Sequence, residues 1–153
     1  MALSPWLLAP AANERGAIMR NYKELRVWER AHALTLDVYR ATAGFPKQEL
    51  FGLTSQMRRC ATSIGTNLAE GCGRRSNPEM ARFLQFAMGS ASELDYELLL
   101  SRDLHFLALA EYESLQKGLT EVRRMLTALY QTVKLECEPI GSRRGPRAVE
   151  AKR

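Results

Sequence analysis

The chain has 153 residues, of which 46% are hydrophobic and 25% charged, and its formal net charge is +5. These values fit one soluble globular domain with a single core, and they exclude a collagen-like or wholly disordered chain. A positive balance permits an anionic partner without requiring one.

The excess charge is uneven. Residues 21–136 hold 15 Lys and Arg against 14 Asp and Glu, whereas 137–153 hold 5 against 2. Three segments are expected: a disordered extension over 1–20, a bundle over 21–136 and a disordered basic tail over 137–153. The start, MALSPWLLAPAANERGAIM, has a four-residue apolar run between Pro5 and Pro10 with no basic residue before it. That is too short for a secretory signal, and an upstream start codon before Met19 is the plainer reading. No run reaches the length of a membrane span. Cys60, Cys72 and Cys137 are an odd number without paired spacing, so no disulfide framework is expected and a cytoplasmic setting fits. With no CxxC and only His32 and His105, no metal site and no cofactor are expected.

Four helices follow in chain order. Val27, Ala31, Leu34, Val38, Ala41 and Phe45 step by 4, 3, 4, 3, 4, one face of a helix that ends before Pro46. Leu50, Leu53, Met57, Ala61, Ile64 and Leu68 line a second, expected from about Gln48 to Gly71 with Gly52 and Gly65 inside it. Met80, Leu84, Ala87, Ala91, Leu94 and Leu98 line a third, reaching Leu104. Leu115, Leu119, Val122, Leu126, Leu129 and Val133 line a fourth, closed by Glu136 and Pro139. No run alternates as a strand does. The fold class is all-α, an antiparallel up-down four-helix bundle with left-handed packing. Trp28, Leu36 and Tyr39, and Phe83, Phe86, Leu100 and Phe106, form second apolar rows. They read equally as a wide core or as a subunit interface.

The stretch TSIGTNLAEGCGRRS, Thr62–Ser76, joins the second helix to the third. Gly71 and Gly73 suit a left-handed helix end, and Ser76 with Glu79 forms a capping box around Pro78. A phosphate loop fails on spacing, because no Lys-Ser or Lys-Thr follows the glycines. No base or second carboxylate accompanies Ser63, Asn67 and Glu70, so no catalytic residue is assigned and no enzyme is expected. Instead Arg59, Ser63, Asn67, Glu70 and Arg74 form a polar stripe, either a solvated face or a buried network. Arg58, Arg59, Arg74, Arg75 and Arg82 fall within 25 residues, opposed by Glu70 and Glu79. They read as a basic pole able to contact phosphates, or as ordinary solubility charge.

Residues Tyr22–Trp28, YKELRVW, then FPKQELFGLTSQMRRCATSIGTNLAEGCGRRS, then Phe83-Leu84, Gly89-Ser90 and Glu93-Leu94, resemble the bacterial 23S rRNA intervening-sequence protein family. The resemblance covers about Met19 to Lys134. It implies a four-helix bundle assembled as a ring-shaped homopentamer. A more distant relative, the accessory variability protein of diversity-generating retroelements, is a basic pentameric barrel that binds nucleic acid and a reverse transcriptase. The resemblance brings no catalytic residues. Gly65 stands where the family commonly has Pro, which would kink the second helix; Gly keeps the bend but loosens it. The expected function is RNA or other nucleic-acid association through the arginine pole. The rival is an oligomeric scaffold for a protein partner.

Overall fold

The computed structural model describes residues 20–137. Among them are four α-helices and no strand: α1, Arg26–Thr42; α2, Leu53–Cys72; α3, Asn77–Asp103; and α4, Leu109–Cys137. Single 3-10 turns lie at Tyr22–Glu24 and Lys47–Glu49. The expected extension and basic tail, apart from Arg20 and Cys137, lie outside the described residues.

Each helix packs on two others, α1 on α2 and α4, and α3 on α2 and α4. Paired residues run in opposite directions across every seam. Thr42 meets Arg58 while Thr35 meets Ala61 across α1–α2. Met57 meets Ser101 while Ser63 meets Ser90 across α2–α3. Asp95 meets Arg123 while Gln85 meets Tyr130 across α3–α4. The bundle is therefore antiparallel and up-down. One end carries the α2–α3 corner, the start of α1 and the end of α4. The other end carries the α1–α2 and α3–α4 loops.

The core is the face that the 3-4 spacing marks. Val38, Met57, Ile64, Leu68, Leu84, Leu94, Leu98, Leu119 and Leu126 are fully enclosed. Burying one such side chain stabilises by about 1.5–3 kcal/mol. The second rows divide. Trp28, Leu100 and Phe106 are half-buried against the core, with Phe106 on Phe45 at 5.6 Å, while Leu36, Tyr39 and Phe86 stay exposed.

Three local expectations are corrected. The second helix starts at Leu53, not near Gln48. Glu49 Oε2 accepts from Leu53 N–H at 3.1 Å, so the carboxylate caps the first turn and Gly52 lies outside the helix. Leu50 is accordingly exposed rather than core. At the other end of α2, Gly73 caps in right-handed conformation (φ −79°), and Gly71 is a buried helical residue. A Cβ on Gly71 would stand 3.1 Å from Phe83 Cβ, so this glycine lets α2 and α3 approach. The left-handed cap belongs to α3, at His105 (φ 61°). There Phe106 N–H donates to Ser101 O and His105 N–H to Arg102 O, a Schellman end.

The capping box holds in modified form. Ser76 Oγ accepts from Glu79 N–H at 3.4 Å and donates to the Glu79 carboxylate at 2.9 Å. Pro78 lies in the first turn of α3.

Candidate nucleic-acid interface

The five arginines do not form one pole. Arg58 and Arg59 sit in the second turn of α2, while Arg74 and Arg75 follow its end. At 1.5 Å per residue, Arg58 and Gly71 are about 20 Å apart along the helix. The first pair also has internal work. Arg58 donates from Nε to Thr42 Oγ1 at 2.9 Å and stacks on the Tyr39 ring at 4.7 Å. Arg59 is hydrogen-bonded to the side-chain oxygen of Gln56.

Arg74, Arg75 and Arg82 do gather at the α2–α3 corner. The Arg74 guanidinium lies 4.5 Å from the Phe83 ring and that of Arg82 lies 5.5 Å from Phe86. The two rings meet edge to face at 5.8 Å. Aromatic faces hold a guanidinium in place and leave its N–H edge for other acceptors. Among the described residues, no ion pair or side-chain hydrogen bond engages these three guanidinium groups. Glu70 and Arg74, four residues apart, form no ion pair either.

Sequence spacing missed a fourth arginine. Arg20, assigned to the extension, packs into the same corner. Its backbone N–H donates to Cys72 O at 3.3 Å, and its guanidinium reaches Asn77 Oδ1 at 3.3 Å and Glu136 Oε2 at 3.1 Å. Arg20, Gly71, Arg74, Arg75, Ser76, Asn77 and Met80 line a small concavity there. The signal for Arg20 is long-range, an acceptor 116 residues away, which no local pattern carries.

The polar stripe splits as well. Asn67 Nδ2 donates to Ser63 O at 2.8 Å and Ser63 Oγ at 3.0 Å, and Ser63 Oγ meets Ser90 Oγ at 2.9 Å. These three side chains are half-buried and join α2 to α3. Arg59, Glu70 and Arg74 at its ends are exposed. Neither histidine joins this network: His32 stacks on Trp28 at 5.1 Å, and His105 caps α3. Further along the same seam, burial raises the Glu97 carboxyl above the usual carboxylate range, the Glu93 charge adds to this, and the Cys60 thiol and Arg59 oppose it. Burial also pushes the Cys72 thiol up to about 11. An open hollow of about 510 Å³ lies on the outer face of α4, lined from Thr120 to Gln131 by that one helix, so nothing closes over a small ligand. No helix of the described residues is long and apolar enough to cross a membrane.

The fold and site define a class: a four-helix bundle with a cationic corner and a hydrogen-bonded polar seam. The 23S rRNA-intervening sequence protein family model matches residues 23–128, and the chain belongs to that family. A crystal structure of a protein of unknown function, from the S23 ribosomal protein family of Bacteroides thetaiotaomicron, is similar in fold. The two share 24% identity with a TM-score of 0.64, over 69% of this chain and 95% of that one. Among curated proteins, none matches the chain.

Proposed function

We propose that the protein is a non-enzymatic nucleic-acid-binding bundle that holds RNA at the α2–α3 corner. Arg74, Arg75 and Arg82 neutralise phosphates, and the shape of the corner fits the backbone without reading bases. The observation that carries this reading is a set of three guanidinium groups at one end, two held on aromatic faces and none with an ion pair or side-chain hydrogen bond among the described residues. The membership in a 23S rRNA-intervening sequence family agrees with it. Three cations on one subunit bind weakly, and a homopentameric ring would repeat them around one rim. Arg58 and Arg59, engaged at the far end, are left out of the interface.

The test is a charge reversal. Arg74→Glu with Arg75→Glu should lower affinity for labelled RNA at least about tenfold at low salt. Circular dichroism and light scattering should be unchanged. Retained affinity would move the function to the scaffold reading. That reading has its own support in Leu50, Phe51, Leu104 and Leu109, exposed apolar side chains at the opposite end.

A further inference from the structure

The seam between α2 and α3 carries a second polar group, apart from the arginine corner. Cys60 on α2 faces Glu93 and Glu97, one helical turn apart on α3. The thiol sulfur and one carboxylate oxygen from each glutamate all lie within 4.8 Å of one another. Cys60 is buried and Glu93 is exposed. Glu97 is only 7% exposed, and its Oε2 is shut off from solvent with no hydrogen-bond partner among the described residues. A buried carboxylate oxygen without a donor is costly, and native structures rarely leave one so.

We infer that Cys60, Glu93 and Glu97 form a binding site for a borderline divalent cation of the zinc type. The donor set decides the class. One sulfur with two carboxylates suits Zn²⁺ or its substitute Co²⁺. Mg²⁺ and Ca²⁺ take oxygen ligands throughout, and Cu⁺ prefers sulfur. Zinc bonds of about 2.3 Å to sulfur and 2.0–2.2 Å to oxygen need these atoms somewhat closer than their widest present spacing. Exposed Glu93 has the freedom to close that gap. Cys60 and Glu97 are already set by their buried helix faces. A water on the Glu93 side would complete a tetrahedron.

The charges balance. The cation displaces the Cys60 thiol proton to solvent, together with the Glu97 proton where one is held, leaving a thiolate and two carboxylates. Three negative charges against two positive leave one, and the Arg59 guanidinium acts on Glu97 from the α2 side. The site ties the middle of α2 to α3, so the cation acts as a clamp on that seam. It is independent of the RNA reading, which uses the corner at the end of the helices. Sequence spacing offered no hint of it, because the thiol and the carboxylates lie over 30 residues apart.

The experiment uses the full chain, stripped with a chelator and titrated with Co²⁺ and Zn²⁺. The expected result is one cation per chain, a sulfur-to-cobalt charge-transfer band in the near ultraviolet, and displacement of Co²⁺ by Zn²⁺. Zn²⁺ should raise the melting temperature. Cys60→Ala should abolish the band, and the near-isosteric Glu97→Gln should weaken binding about a hundredfold. Cys137→Ser should leave every signal intact. Glu97→Gln keeps the shape of the core, so it decides the matter even if Cys60→Ala fails to fold. The inference is overturned by the absence of a saturable band, by wild-type affinity in Glu97→Gln, or by a band that vanishes only in Cys137→Ser.

Discussion

The two ends of the bundle are made by the same four helices and expose opposite chemistry. At the α2–α3 corner, Arg74 and Arg82 rest on phenylalanine rings, and Arg75 beside them has no ion pair among the described residues. At the far end, Arg58 is tied to Thr42 and Tyr39, while Leu50, Phe51, Leu104 and Leu109 face outward. Five arginines that are neighbours in the sequence thus divide into a hydrogen-bonded pair at one end and, at the other, three without a side-chain hydrogen bond or ion pair among the described residues. A helix carries residues of one short segment to distant places, and what each guanidinium already touches decides whether it can bind anything else.

The α2–α3 corner depends most strongly on Gly71. A Val there would set its Cβ against Phe83 Cβ, which is fixed to the α3 backbone and cannot step aside. The expected loss is about 3 kcal/mol, read by urea denaturation. RNA affinity should fall with it, because the corner opens. Wild-type stability would mean that α2 and α3 need no close approach there.

Arg58→Ala sharpens the contrast between the two arginine groups. It removes a partly buried hydrogen bond and a ring contact, for a loss of about 1 kcal/mol. RNA affinity should be unchanged within about twofold, since Arg58 lies at the other end. Loss of RNA binding with intact stability would return Arg58 to the interface.

The smallest effect is expected at Phe51, which is 93% exposed. Phe51→Ser should shift stability by less than about 0.5 kcal/mol. The informative readout is light scattering. A fall in oligomer size would assign the apolar end to assembly, and an unchanged size would leave that end for another partner.

The helices were legible because packing writes itself into the sequence with a fixed step. Val27 to Val38, Met80 to Leu98 and Leu115 to Val133 carry that step, and all but half-buried Leu129 of these positions are buried. The pattern failed where an apolar residue is not packed. Leu50 continues the step yet belongs to a loop, because the Glu49 carboxylate starts the helix three residues later. The first turns of α4, from Leu109, lacked the step because Leu109 is exposed. The candidate site was legible only in part. Arg74, Arg75 and Arg82 are close in sequence and also in space. Arg20 and the Cys60–Glu93–Glu97 group are joined by tertiary approach alone, and local spacing holds no record of that.

The most direct test of the account is the salt dependence of RNA binding by the full chain. Each neutralised phosphate on single-stranded RNA contributes about −0.7 to the slope of log affinity against log salt, so three arginines give about −2 per engaged subunit. The account predicts a slope at least that steep, reduced by more than one unit in the Arg74→Glu, Arg75→Glu variant. A slope near zero, or one that the variant leaves unchanged, would contradict it.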